Sequence, residues 1–171
     1  MRIAGHPIHP MLVPLAIGLF VFSLVADIAT LTGWAASAWP AVALYCMGGG
    51  IVGALVAAVF GFLDYRTLTE PRTKDIATAH MLINLAVVGL YVVNFALRLH
   101  NQGSGGLLTF GLSVLAILML LVSGWLGGEL VYVRRVAVAP ADGTAGDRRH
   151  HEVPVRDDRR RSNLGAPLGE H

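Results

Sequence analysis

The chain has 171 residues, 54% apolar and 14% charged, with a formal net charge of +2 and a single cysteine, Cys46. A soluble domain carries about a quarter charged residues, so this composition excludes an ordinary soluble protein. One cysteine excludes an internal disulfide, no CxxCH is present to attach haem covalently, and no basic patch interleaved with aromatics supports nucleic-acid binding.

No Lys, Arg, Asp or Glu occurs from Ile28 to Leu63, from Ile76 to Leu97 or from Asn101 to Gly128. A membrane-spanning helix needs roughly 20 mainly apolar residues, and these stretches are long enough. The first helix is predicted from Met11 to Gly33. A cleaved signal is the competing reading, but the apolar run is long for one. The lead-in His6-Pro7-Ile8-His9-Pro10 is also more specific than a signal requires. His6 and His9 each precede a proline, which disfavours helical backbone, so both are expected on a stiff extended segment. Pro10 falls near the first helical position, and Pro14 should kink the first turns. Asp27 lies near the far end, with Thr30 as a neighbour and no evident charged partner.

Helix two is predicted from Ala41 to Leu63, after Trp34 and Trp39 in the loop. Gly49, Gly53, Ala57 and Gly61 recur every fourth residue, the spacing that lets helices approach closely. That stripe reads as packing, and as a dimer interface if the protein is a small oligomeric transporter. Cys46 reads as a small core residue. Helix three is predicted from Thr78 to Leu97, with Thr78 a candidate cap. Its Asn84 and Asn94 are suited to interhelical hydrogen bonds, and Arg98 and His100 to a solvated end. Helix four is predicted from Leu107 to Val133, with Trp125 either an interfacial ring or core.

Arg2, Arg66, Arg72, Lys74, Arg134 and Arg135 collect on one face, against Arg98 alone on the other. The positive-inside rule therefore predicts a cytoplasmic N-terminus, middle loop and C-terminus. Residues 1–135 form the expected four-helix transmembrane domain. Residues 136–171, rich in arginine, read as a disordered basic cytoplasmic tail. Its arginines suit anionic lipid heads, each worth about 1 kcal/mol near the surface.

The helices contain an internal echo. With Pro10 dropped, His9-Met11-Leu12 aligns with His80-Met81-Leu82, and Leu15-Ala16 with Leu85-Ala86. Gly61-Phe62-Leu63 aligns with Gly124-Trp125-Leu126. A duplicated helical hairpin would relate the copies by a pseudo-two-fold axis along the membrane normal. His9 would then match His80, and Asp64 would roughly match Glu129.

Alternating helix directions gather His6, His9, Asp64, Tyr65, Arg66, His80 and Glu129 at one end. Ionisable groups at membrane depth are costly and usually paired or functional. Neutral imidazole suits haem iron, zinc, copper and non-haem iron. Three readings compete. The first is b-type haem held by two of His6, His9 and His80 and serving electron transfer. The second is another metal bound by His6, His9, His80, Asp64 and Glu129. The third is a non-catalytic membrane subunit whose cluster only ties helix ends together. No Ser-His-Asp order, HExxH or GxGxxG points to an enzyme.

The run Gly5-His6-Pro7-Ile8-His9-Pro10-Met11-Leu12-Val13-Pro14 carries a resemblance, together with Phe62-Leu63-Asp64-Tyr65, Thr78-Ala79-His80 and Ser123-Gly124-Trp125-Leu126-Gly127-Gly128-Glu129. Jointly they resemble domain-of-unknown-function family 2231, small bacterial inner-membrane proteins, over about residues 3 to 137. The resemblance implies a four-helix membrane module without an established activity. It also implies a redox setting, through relatives fused to Rieske-type or cytochrome c modules. His6, His9, His80, Asp64 and Glu129 fall on the family's motif positions. A lipid bilayer is the implied surrounding, with a redox partner or a second copy of the chain as further candidates.

Overall fold

The computed structural model describes residues 2–3, 6–34, 37–102, 105–134 and 136. The predicted basic tail and Arg135 lie outside them. A short pairing opens the chain: β1 (Arg2–Ile3) runs antiparallel to β2 (His6–Pro7). Four helices follow: α1 (Ile8–Leu31), α2 (Trp39–Tyr65), α3 (Pro71–His100) and α4 (Leu107–Gly128). α4 continues into a π-helical turn over Glu129–Val133.

Each of the four is long and apolar enough to cross a membrane. Large apolar side chains such as Leu107, Leu108, Leu121 and Trp125 stand exposed on the outside. A water-soluble bundle would bury such a surface, whereas lipid accepts it. The protein is an all-α, multi-pass membrane bundle. Trp125 is 81% exposed, so its ring belongs to the outer surface and not to the core.

Three helix starts differ from expectation, α2 taking in Trp39 and Pro40 as its first residues. His9 and Pro10 belong to α1. The first four N–H groups of a helix have no intrahelical partner, so a proline there forfeits nothing. α3 begins at Pro71 instead of Thr78. Glu70 caps it, its carboxylate accepting from the Arg72 and Thr73 N–H groups and from the Thr73 hydroxyl. Arg72, Lys74 and Asp75 had marked this turn as outside the apolar run, but a helix can extend past the lipid. Thr78 is no cap: its hydroxyl donates to the Lys74 carbonyl and lies 3.0 Å from the Tyr65 hydroxyl.

The two hairpins, α1–α2 and α3–α4, repeat one burial pattern. Buried Ala43, Met47, Gly50 and Ala57 of α2 match buried Thr109, Ser113, Ala116 and Ser123 of α4, each 66 residues later. Buried Ala16, Phe20, Ser23 and Asp27 of α1 match buried Val87, Tyr91, Asn94 and Arg98 of α3. Here the spacing is the 71 residues that separate Phe20 from Tyr91 and Asp27 from Arg98. The register therefore keeps Pro10 in the count and matches Gly61 with Gly127. It corrects the alignment that dropped Pro10 and paired Gly61 with Gly124, and it leaves Asp64 and Glu129 without equivalence.

The small-residue stripe of α2 is consumed within its own hairpin. A Cβ at Gly49 would meet Leu19, one at Gly50 would lie 2.6 Å from the Phe20 ring, and one at Gly53 would meet Ala16. This face is closed by α1 and is not free to join a second copy. Across the pseudo-axis the Phe20 and Tyr91 rings stack, 3.9 Å apart and 6° from parallel. They form the centre of the core with Met47, Val87 and Ala116.

Candidate functional site

At the end where α1 starts and α2 finishes, His9 Nδ1 lies 2.8 Å from the Ala57 carbonyl. In the other hairpin His80 Nδ1 lies 2.9 Å from the Ser123 carbonyl. Ala57 and Ser123 are matched positions, so the two histidines make the same bond in the two copies. A carbonyl only accepts, so each Nδ1 carries the hydrogen and donates. Each Nε2 is then the nitrogen with a free lone pair. Matched glycines make room for the rings. A Cβ at Gly61 would lie 2.8 Å from His9 Cε1, and one at Gly127 would lie 3.1 Å from His80 Cε1.

Both imidazoles line one cavity of about 560 Å³. Its walls are mainly apolar, with Val13, Phe20, Ala54 and Val87 among them. Such a volume is in the range, roughly 300–1,000 Å³, of sites that hold cofactors and drug-sized ligands. Leu82 and Leu85 line it as well and are exposed on the outer surface, so it opens sideways toward lipid. Asn84 is its other polar wall. The Asn84 amide nitrogen lies 3.1 Å from His80 Nε2, 2.6 Å from the Ser123 hydroxyl and 2.8 Å from the His80 carbonyl.

The remaining candidates divide. Asp64 and Tyr65 line the same cavity. Glu129 does not. It faces Arg134 at 3.4 Å within the π-helical turn, and Arg134 also reaches Glu70 at 3.4 Å. His6 is placed in β2 by its backbone, and its side chain lies outside the described residues. Among the described residues no three of His, Cys, Asp and Glu cluster as metal ligands. What the described residues bring together is a pair of imidazoles, with a carboxylate at the cavity wall.

The opposite end holds a polar network that the sequence reading did not assemble. Arg98 donates to the Asp27 carboxylate at 2.7 Å, and the two are 1% and 5% exposed. Arg98 Nε donates to Asn94, whose amide donates to Ser113 Oγ and to the Thr109 carbonyl. Ser113 Oγ in turn lies 3.2 Å from Asp27. Asp27 thus has a charged partner, and Arg98 is a buried cation and not a solvated one. The usable signal was the spacing: Asp27 and Arg98 are as far apart as His9 and His80. Since Arg98 is buried and paired, that end exposes no Lys or Arg among the described residues.

Fold and site together define a small multi-pass membrane protein with a histidine-lined cavity at one end and a buried ion pair at the other. The chain belongs to the DUF2231 family of predicted membrane proteins, whose model matches residues 5–140. No curated protein and no solved structure matches it.

Proposed function

We propose that this membrane protein binds a b-type haem between His9 and His80 and serves electron transfer. One observation carries the reading: both rings spend Nδ1–H on a backbone carbonyl, which leaves Nε2 as the lone-pair nitrogen of each, on the walls of one apolar cavity. Metal-ligating histidines almost always donate their other ring N–H to such a carbonyl or carboxylate, which fixes tautomer and ring orientation. Haem iron takes imidazole from opposite faces, and an apolar surround sets its potential. The lateral opening would admit a flat hydrophobic molecule from the bilayer. Asp64 and Tyr65 would sit near its polar edge. His6 remains a rival ligand to His9, and a non-haem metal the rival occupant. The cation asymmetry supports placing the histidine end at the cytoplasmic face of a bacterial inner membrane.

The third reading, a purely structural cluster, draws on Asn84, which already satisfies His80 Nε2 without any cofactor. Detergent-purified protein from haem-replete cells separates the two. The haem reading expects a Soret band that shifts on reduction. It also expects that band to be lost in His9→Ala and His80→Ala, with helical circular dichroism retained. A colourless, metal-free preparation would sink it.

A further inference from the structure

The two hairpins supply the same histidine, the same carbonyl acceptor and the same glycine gap, but several matched cavity positions differ in kind, among them the one a helical turn beyond each histidine. Four residues after His9 stands Val13, and four after His80 stands Asn84. Both line the cavity. One helical turn places a residue at that spacing beside the histidine. The Asn84 amide duly reaches His80 Nε2 at 3.1 Å, and it is held there by the Ser123 hydroxyl at 2.6 Å and the His80 carbonyl at 2.8 Å, its two hydrogens shared among three acceptors. Valine offers nothing to His9, and His9 Nε2 has no hydrogen-bond partner among the described residues.

We infer that Asn84 makes the two histidines unequal as ligands: His9 is the permanent one, and His80 is the one that lets go. The inference rests on the haem reading and assigns the regulation of that site. The lone pair of His80 Nε2 has two competing destinations, the iron and the Asn84 N–H. With haem bound, His80 Nε2 released from the iron would find that amide within reach, which would stabilise the dissociated state. Among the described residues no equivalent donor reaches His9 Nε2. Because His80 lines the cavity, the position it gave up would be open to a small neutral iron ligand, whose binding would need no change in oxidation state.

Carbon monoxide is the probe. With dithionite-reduced wild-type protein, CO should displace His80 and shift the Soret band. Asn84→Val removes the competing donor while copying the first hairpin. It should slow CO binding by about tenfold, the worth of one hydrogen bond, and leave the unliganded reduced spectrum six-coordinate. Val13→Asn combined with Ala57→Ser makes the converse test by giving His9 the same competitor and its anchor, and should speed CO binding. It also covers the case in which Asn84→Val does not fold. Equal CO rates in wild type and in either folded variant would overturn the inference while leaving the haem reading intact. Absence of haem from wild-type protein would overturn both.

Discussion

The two ends of this bundle solve the same problem in opposite ways. Each places polar groups from both hairpins on the pseudo-axis, inside a membrane. At one end Asp27, Asn94, Arg98 and Ser113 satisfy one another and leave little room. The neighbouring cavity, lined by Asp27 and Arg98, is only about 20 Å³. That is about the space of one water molecule. At the other end His9 and His80 bond outward, each to its own hairpin, and leave a space of about 560 Å³ between them. Polar groups that bond across the axis close the bundle, and polar groups that bond within a hairpin hold it open. The first arrangement is that of a clamp, the second that of a receptacle.

The largest test of this contrast falls on the clamp. Asp27→Ala would leave the Arg98 guanidinium buried and unpaired, which costs about 3–5 kcal/mol. Denaturant unfolding in detergent micelles should show a loss of that size, and Asp27→Ala/Arg98→Met should recover much of it. A single variant as stable as wild type would mean the ion pair does not hold the hairpins together.

A smaller effect on stability, but a direct one on the receptacle, is expected at Gly61. An added methyl would overlap the His9 ring and break its bond to Ala57, at a cost of about 1 kcal/mol. On the haem reading proposed above, Gly61→Ala should therefore weaken cofactor retention strongly while stability falls by only about 1 kcal/mol. Gly111 has open space where a Cβ would stand and lies off the cavity, so Gly111→Ala is the control and should be silent. Equal retention in the two variants would deny that the glycine gap positions the ring.

The smallest effect lies at the start of α3. The Thr73 hydroxyl, then the Thr73 N–H, hold the exposed Glu70 carboxyl below its ordinary value near 4.5. A depressed value means the cap stabilises the helix above the unfolded pKa and is lost as pH falls through the folded one. Amide exchange at Arg72 and Thr73, corrected for its intrinsic pH dependence, should lose protection through that acid range. Glu70→Gln should abolish the pH dependence. Protection that stays flat into acid would show that the carboxylate does not cap α3.

The helices were legible because lipid demands long uncharged runs, and hydropathy alone finds those. The start of α3 was not, because Arg72 and Lys74 end the apolar signal while Pro71 and Glu70 still favour a helix. The repeat was half legible. His9 and His80 announce it, but matching letters led to Gly124, whereas burial, which conserves position and not identity, leads to Gly127. Asp27 and Arg98 were read separately because nothing in either local segment names the other. Their partnership is a property of the axis, and only the common spacing hints at it. Asn84 was read as an interhelical donor, which its bond to Ser123 is, but the ring it also reaches depends on a rotamer that no sequence states.

The pairing of Phe20 with Tyr91 and of Asp27 with Arg98 has a consequence for how the halves recognise each other. Two identical hairpins meeting on a true two-fold would set like against like at every axial position, acid facing acid and base facing base. Two unlike halves held in one polypeptide let opposite charges meet at the dyad. What would be a locus of repulsion is here a lock that fits only one mate.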